Sequence, residues 1–159
     1  MKITVLCVGK LKESFFNDAV KEYKKRLSAF SKTEVVEVED EKTPDKASDA
    51  TNEKIKETEG KRLLKAIKDD ALVVALAIDG KQMSSEEFAD FIEKTGVGGT
   101  GHIIFIIGGS LGLSQEVLNR ADVKISFSKM TFPHQLMRVI LFEQIYRAYK
   151  IISNQPYHK

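Results

Sequence analysis

Two stretches near the C-terminus carry residues whose types and spacing suit the binding of a small ligand. The apolar run His102–Ile107 is followed by the glycine-rich loop Gly108–Gly112, and the run Val123–Phe127 is followed by Ser128–His134, which is rich in hydroxyls and contains Met130. In an open parallel α/β sheet, ligands lie outside the carboxyl ends of the strands. Glycines let a backbone approach a ligand closely. The two loops therefore predict a site for a small cofactor with a flat base.

Other chemistries have less support. The first predicted strand ends in Val8-Gly9-Lys10-Leu11, so the G-x-G-x-x-G spacing of a dinucleotide-binding turn does not follow that strand, and no G-x-x-x-x-G-K-[ST] loop occurs in the chain. Cys7 lies inside a predicted core strand, which argues against covalent catalysis by its thiol. What remains is a reaction that depends on positioning two bound partners. An ordinary strand-to-helix turn would also explain the glycines of Gly108–Gly112.

The three histidines, His102, His134 and His158, are isolated from one another, so the sequence predicts no metal site. His102 opens a strand, where a structural role is expected. His134 and His158 lie in the loop-rich C-terminal third and could hydrogen-bond a substrate or carry a proton. A solvated side chain is the simpler interpretation of each.

Length and composition predict one soluble globular domain over residues 1–159, with 42% hydrophobic and 30% charged residues. No apolar run approaches the roughly 20 residues of a membrane span. The apolar N-terminus is interpreted as a first strand and not as a signal peptide. A single cysteine cannot form an internal disulfide, which fits a reducing, cytoplasmic location.

The charge is unevenly distributed although the net charge is only +2. Arg120–Lys159 holds seven Lys or Arg against two Asp or Glu, whereas Glu34–Glu59 holds ten acids against four lysines. A basic C-terminal third beside the candidate loops favours an anionic partner. Ordinary solvated charge is the alternative, since a protein that bound long nucleic acid by electrostatics alone would be more basic.

Hydrophobic periodicity predicts about five strands alternating with helices, and hence an α/β fold with a mainly parallel sheet covered by helices on both faces. The predicted strands are Lys2–Val8, Thr33–Glu39, Leu72–Ile78, His102–Ile107 and Val123–Phe127. The predicted helices are Ser14–Phe30, a polar helix ending near Lys68 and weakened by Gly60, a helix starting at the capping box Ser84–Glu87, Ser114–Arg120, and about Pro133–Ser153.

Two further expectations concern the end of the third strand and the surface of the last helix. Asp79-Gly80-Lys81 is predicted as a turn that ends the third strand. The last helix has an apolar surface that is wide for a helix packed on one sheet face, which predicts a subunit interface.

Several segments, taken in this order, resemble the RlmH family, the SPOUT-class methyltransferases that act on ribosomal RNA. These segments are Gly108–Leu113, Ser126–His134, Arg138 with Glu143–Arg147, and the tail Asn154–Lys159. Lys2–Lys12 also resembles the start of the family, so the likeness covers essentially the whole chain. The acidic region Glu39–Glu59 is its least diagnostic part.

The resemblance implies an α/β knot with a threaded C-terminal trefoil, a topology that general folding rules would not suggest. It implies a homodimer with the C-terminal helix at the interface, and S-adenosylmethionine as cofactor. It also implies methylation of N3 of a pseudouridine in the large-subunit rRNA of an assembled ribosome. The cofactor contacts implied by position are Leu76, Gly108, Phe127, Ser128, Lys129, Met130, Thr131 and Phe132.

For such a reaction the chain must place pseudouridine N3 in line with the methyl donor and take up the N3 proton. The tail offers Tyr157 or His158 as base or hydrogen-bond partner, with Lys159 favouring the developing anion. His134 and Arg138 are alternatives as cofactor or phosphate contacts. In a dimer the tail could complete the partner's site.

Two other functions stay open at this point. A non-catalytic RNA- or ribosome-binding module on the same fold would not need a cofactor at residues 108–112 and 127–132. A flavodoxin-like or nucleotide-binding domain would use the same sheet edge, but it lacks a phosphate-binding loop after the first strand.

Overall fold

The computed structural model describes residues 1–159 and contains five strands and five helices in alternation. The strands are β1 (Lys2–Val8), β2 (Lys32–Val38), β3 (Leu72–Gln82), β4 (His102–Ile107) and β5 (Val123–Ser126). The helices are α1 (Ser14–Leu27), α2 (Asp49–Ala66), α3 (Ser85–Val97), α4 (Gln115–Arg120) and α5 (His134–Ile152). The predicted alternation of strands and helices is therefore confirmed.

The strands form one sheet in the order β2-β1-β4-β3-β5, and every neighbouring pair is parallel. Strands β1 and β4 are almost completely buried, which is why both are continuous apolar runs in the sequence. Because β4, β3 and β5 are adjacent, the loops that leave their carboxyl ends meet at one edge of the sheet.

Helices cover both faces of the sheet, as expected. One core cluster joins the strands to α1, α3 and α5 through residues such as Leu27, Phe88 and Phe142. A second cluster on the other face joins them to α2 and α4 through Leu63 and Val117. Cys7 is fully buried in the first cluster, and burial raises the pKa of its thiol to about 12.

Serine caps begin three helices. Ser48, Ser84 and Ser114 each accept a hydrogen bond from a backbone N–H in the first turn of α2, α3 and α4. The capping box predicted at Ser84 is complete, because Glu87 also accepts the Ser84 backbone N–H at 2.7 Å. The caps at Ser84 and Ser114 explain why the starts of α3 and α4 could be identified from sequence, whereas α2 begins at Asp49, inside the stretch up to Thr51 that was predicted as a loop.

Gly60 lies within the unbroken helix α2, where it is buried and leaves room for the side chains of Ser114 and Val117 at the start of α4. One local prediction differs from the structure. Strand β3 continues past Ile78 to Gln82, with an irregularity in its pairing with β5 between Leu76 and Lys81. The expected turn at residues 79–81 is thus part of an irregular strand that resumes pairing with β5.

A Cβ at Gly80 would lie 2.8 Å from backbone atoms of Lys124 and Ile125, so the two chain segments touch there backbone to backbone. Helix α5 packs on α1 and α3, and none of its large apolar side chains is among the strongly exposed ones. Part of the apolar surface of α5 is therefore used inside the chain, while Leu136, Val139 and Ile140 remain partly exposed. No helix combines the length and apolar character that a membrane crossing needs.

Candidate functional site

A cleft of about 760 Å³ lies at the carboxyl edge of the sheet, where the chain leaves β3, β4 and β5. Three segments line it: residues 76–79, residues 107–113 and residues 125–134 apart from Lys129, with Leu118 and Met137 completing the wall. Its size falls within the range of small-molecule sites, about 300–1,000 Å³. The edge predicted from the two strand ends is therefore the edge that carries a cleft.

The glycine-rich loop after β4 is closed on itself. Gly112 has a φ of +87°, and its N–H donates to the carbonyl of Gly109 at 3.1 Å. A Cβ at Gly108 would lie 2.7 Å from the backbone carbon of Gly112, a contact that only glycine avoids. The glycines therefore serve the turn itself, and they also leave backbone exposed along the cleft wall.

The loop after β5 is held by its own hydroxyls. Ser126 donates to the carbonyl of Ser128 at 3.0 Å, and the Ser128 hydroxyl accepts the N–H of Met130 at 2.9 Å. The ring of Phe127 packs edge-on against Phe88 of α3, with 6.0 Å between ring centroids. Met130 remains strongly exposed at the cleft mouth. A preformed loop with aromatic and thioether surface suits a flat base.

Seven of the eight expected cofactor contacts line this cleft: Leu76, Gly108, Phe127, Ser128, Met130, Thr131 and Phe132. Lys129 is exposed and is not part of the lining. The sequence reasoning missed Ile78 and Asp79, which also line the cleft. Applying the strand-end rule to β3 as well as to β4 and β5 would have found them.

Few charged groups face the cleft. Asp79 is the single carboxylate in its lining, and it is exposed. His134 also lines the cleft; burial and the nearby Arg138 charge lower the pKa of its imidazole. His134 is therefore a neutral side chain at neutral pH. A cleft with one carboxylate and no cation suits a ligand that carries positive charge.

Arg138 is not available as a phosphate contact. Its side chain is fully buried, and its guanidinium pairs with Glu37 Oε2 at 2.6 Å. It also donates to the carbonyl oxygens of Val8 at 3.2 Å and Gly9 at 2.7 Å. Arg138 thus fixes the start of α5 to the end of β1, and the expectation of a phosphate contact is not met in this chain because the side chain is fully buried and Nη1 and Nη2 both donate inside the chain.

The tail residues lie outside the lining of the cleft in the same chain. The Tyr157 hydroxyl donates to Glu143 Oε1 at 3.2 Å, and its ring packs edge-on against Tyr146. Burial and the Glu143 charge raise the pKa of Tyr157 to about 12, so this residue stays protonated at neutral pH. Lys159 is exposed at the chain end.

His158 has both ring nitrogens occupied. Its Nδ1 lies 3.2 Å from Nη1 of Arg147, and its Nε2 lies 2.7 Å from Oε1 of Glu86. Because the guanidinium can only donate, Nδ1 accepts and Nε2 carries the proton in the neutral ring. The tail is therefore joined to α5 through Arg147 and Glu143, and to the first turn of α3 through Glu86.

The remaining histidine, His102, has the structural role expected of it. It is buried at the start of β4, and its Nε2 lies 2.8 Å from the Thr4 hydroxyl on β1. Burial lowers the pKa of its imidazole. No three His, Cys, Asp or Glu side chains are grouped so that they could hold a metal ion.

Comparison with known proteins gives a consistent result. The family model described as "Predicted SPOUT methyltransferase" matches residues 1–158. Proteins named "Ribosomal RNA large subunit methyltransferase H" from Bifidobacterium animalis and Clostridium perfringens are 60% and 57% identical, each over 100% of both chains. A solved structure of a probable methylase family protein from Haemophilus influenzae matches 99% of this chain and 70% of its own, with a TM-score of 0.57 and 13% identity. The solved structure supports the fold alone, whereas the full-length matches show that the chain belongs to the RlmH family of SPOUT methyltransferases.

Proposed function

We propose that this chain is an S-adenosylmethionine-dependent methyltransferase that methylates N3 of a pseudouridine in large-subunit rRNA. The observation that carries the proposal is the cleft of about 760 Å³ at the carboxyl edge of the sheet, in a chain that matches the SPOUT family model over residues 1–158. The full-length relatives are named as rRNA large subunit methyltransferases, which supports rRNA as the substrate.

The residues of the cleft fit S-adenosylmethionine. The backbone of Gly108–Gly112 can approach a ligand closely, and Phe127, Phe132 and Met130 supply apolar surface for an adenine ring. Asp79 provides negative charge for a cationic ligand, and the neutral His134 adds no repulsion. When bound, the cofactor supplies an already activated methyl group.

The chain must then bind the acceptor nucleotide and provide a group that takes up the proton lost from N3. Methylation at N3 requires that the N3–H proton leaves, and a side chain that accepts it must lie within hydrogen-bond reach. Tyr157 is suited to donate a hydrogen bond, because its raised pKa keeps it protonated. His158 can accept a proton at Nδ1 once the Arg147 contact opens. Lys159 favours the negative charge that develops on the pseudouridine ring as N3 loses its proton.

A homodimer would bring the cofactor cleft and the C-terminal tail together. In one chain the tail binds to α5 and α3 and does not line the cleft. We propose that the tail of one subunit completes the cleft of the other, with α5 at the interface. The assembled ribosome is the proposed substrate, because the modest net charge of +2 suits recognition of a folded surface better than general binding of RNA.

The experiment is transfer of labelled methyl from S-adenosylmethionine to ribosomes from cells that lack this protein, followed by mapping of the labelled nucleotide. The expected result is label on one pseudouridine of the large subunit. Cofactor binding is measured separately as a thermal shift with S-adenosylmethionine, with FMN and ATP as comparison ligands. Cofactor binding without transfer to ribosomes, subunits or free rRNA would show that the substrate is wrong.

A variant tests the role of the tail. His158→Gln removes the ionisable ring, and turnover is expected to fall by about 100-fold or more, as is typical of a lost general acid or base. Because His158 lies outside the cleft lining, the affinity for S-adenosylmethionine is expected to stay unchanged. Wild-type turnover in this variant would remove His158 from the mechanism. Failure of the wild-type protein to bind the cofactor would favour a non-catalytic ribosome-binding module.

A further inference from the structure

Large apolar side chains are strongly exposed at only four positions: Phe15, Ile78, Val97 and Met130. Ile78 and Met130 belong to the cleft lining. Val97 ends α3 and lies at the opposite, amino edge of the sheet, shortly before β4 begins. Phe15 remains unexplained: its ring is 62% exposed in the first turn of α1, shortly after the carboxyl end of β1.

The segment that carries Phe15 is held in place. The N–H of Leu11 donates to Glu37 Oε2 at 3.3 Å, and Asn17 Nδ2 donates to the Leu11 carbonyl at 3.2 Å. The rings of Phe15 and Phe16 touch, with 4.4 Å between centroids, and Phe16 is partly buried. The Phe15 ring is therefore presented to solvent from a fixed base, so little conformational freedom is lost when a partner covers it.

This segment is also joined to the cleft. The N–H of Lys12 donates to Gln135 Oε1 at 3.3 Å. Gln135 directly follows His134, which lines the cleft. The β1–α1 segment is thus hydrogen-bonded to the residue next to the cleft lining, and Phe15 follows Lys12 by three residues on that segment.

The charges around Phe15 are mixed. Lys10 and Lys12 are exposed in the loop between β1 and α1, and Glu13 and Asp18 are exposed near them. Such a surface gives no strong general attraction to RNA, but it can contact individual phosphates. An exposed ring next to lysines is the combination that binds an unpaired base together with its backbone.

We infer that Phe15 is a stacking platform for an unpaired base of the RNA that flanks the target nucleotide, with Lys10 and Lys12 contacting its phosphates. The inference rests on the proposed function, since it takes RNA as the substrate. It adds a docking surface on the β1–α1 segment, outside the cleft and outside the tail. The chemical class of the partner is single-stranded RNA in a loop or bulge.

The test compares Phe15→Ala with Phe15→Tyr and with the control Val97→Ala, which removes another strongly exposed apolar side chain at the far edge. Binding to large ribosomal subunits that lack the modification is measured by filter binding, so that the result does not depend on turnover. Phe15→Ala is expected to weaken binding by about 5- to 150-fold, equivalent to a stacking free energy of about 1–3 kcal/mol. Phe15→Tyr and Val97→Ala are expected to bind like wild type.

Two further readouts separate the explanations. Lys10→Gln with Lys12→Gln is expected to reduce the salt dependence of binding, whereas Phe15→Ala is expected to leave that slope unchanged. The affinity for S-adenosylmethionine stays the same in all variants.

Wild-type binding by Phe15→Ala overturns the inference, as does a wild-type protein that binds no ribosomal particle. A change of oligomeric state in Phe15→Ala, seen by light scattering, would assign the ring to a contact between copies of the chain. Methyl transfer by wild type, assayed in parallel, tests the proposed function on its own.

Discussion

Replacing Arg138 is expected to destabilise the fold more than any exposed charge would. The guanidinium is fully buried, pairs with Glu37 Oε2 at 2.6 Å, and donates to the carbonyl oxygens of Val8 and Gly9 at 3.2 and 2.7 Å. Arg138→Met keeps much of the apolar volume but leaves the carboxylate and both carbonyls without this partner. Breaking a buried pair in this way costs about 3–5 kcal/mol.

The lower end of that range applies here, because the Glu37 side chain is 33% exposed and water can replace part of the lost contact. A loss of about 3 kcal/mol corresponds to a fall in Tm of about 6–12 °C for a chain of this length. The measurement is urea unfolding followed by circular dichroism at neutral pH, together with a thermal scan.

Arg26→Met is the matched control. Arg26 and Glu22 form an exposed i,i+4 pair on α1, with 42% and 52% of their side chains exposed, and such pairs contribute about 0.3–0.5 kcal/mol. Because Arg138 anchors the start of α5, where His134 and Met137 line the cleft, Arg138→Met is also expected to weaken binding of S-adenosylmethionine. A loss of stability below about 1 kcal/mol, comparable with the control, would refute the structural role and return Arg138 to the candidates for ligand contact.

Three other perturbations test local burial and packing. Burial raises the pKa of Glu59 above its ordinary 4.5, so the folded chain binds this proton more tightly than the unfolded chain does. The stability of the fold therefore falls as pH rises from 4.5 through the raised pKa, and Glu59→Gln should flatten that part of a Tm-against-pH curve. Gly80→Ala places a Cβ 2.8 Å from the β5 backbone and should lower the free energy of unfolding by about 1–3 kcal/mol, whereas Gly101→Ala, with open space around it, should change it little. The Cys7 thiol, with its pKa raised to about 12, should resist a thiol-specific reagent in the native protein and react after unfolding in guanidinium chloride; rapid native labelling would contradict its burial.

Most elements of the fold could be predicted because their signals are local. The continuous apolar runs of β1 and β4 follow from burial on both faces of a parallel sheet, and the serine caps of α3 and α4 act within one helical turn. The strand order β2-β1-β4-β3-β5 has no such signal, since it depends on which distant segments pair. Continuation of β3 to Gln82 likewise depends on β5, which lies some forty residues further along the chain.

The site divides in the same way. The loops after β4 and β5 were predicted from residue types at strand ends, whereas Leu76 came only from the family resemblance, and Asp79 was missed because it was assigned to a turn. Arg138 is basic and lies next to the candidate loops in sequence, which made a phosphate contact plausible. Its burial against Glu37 and the end of β1 is a contact over 101 residues of sequence, and no local pattern reveals it.

The arrangement of the tail has a consequence for the proposed mechanism. In one chain Tyr157 and His158 are bound to Glu143, Arg147 and Glu86, and none of these residues lines the cleft. If they act on the substrate, either the tail leaves α5 or a second subunit brings its tail to the cleft. Only the second route makes activity per chain depend on protein concentration. Turnover measured over a dilution series is therefore expected to fall as dimers dissociate, while the affinity for S-adenosylmethionine in the cleft falls less. Turnover per chain that stays constant after light scattering shows monomers would rule out a shared site and favour release of the tail within one chain.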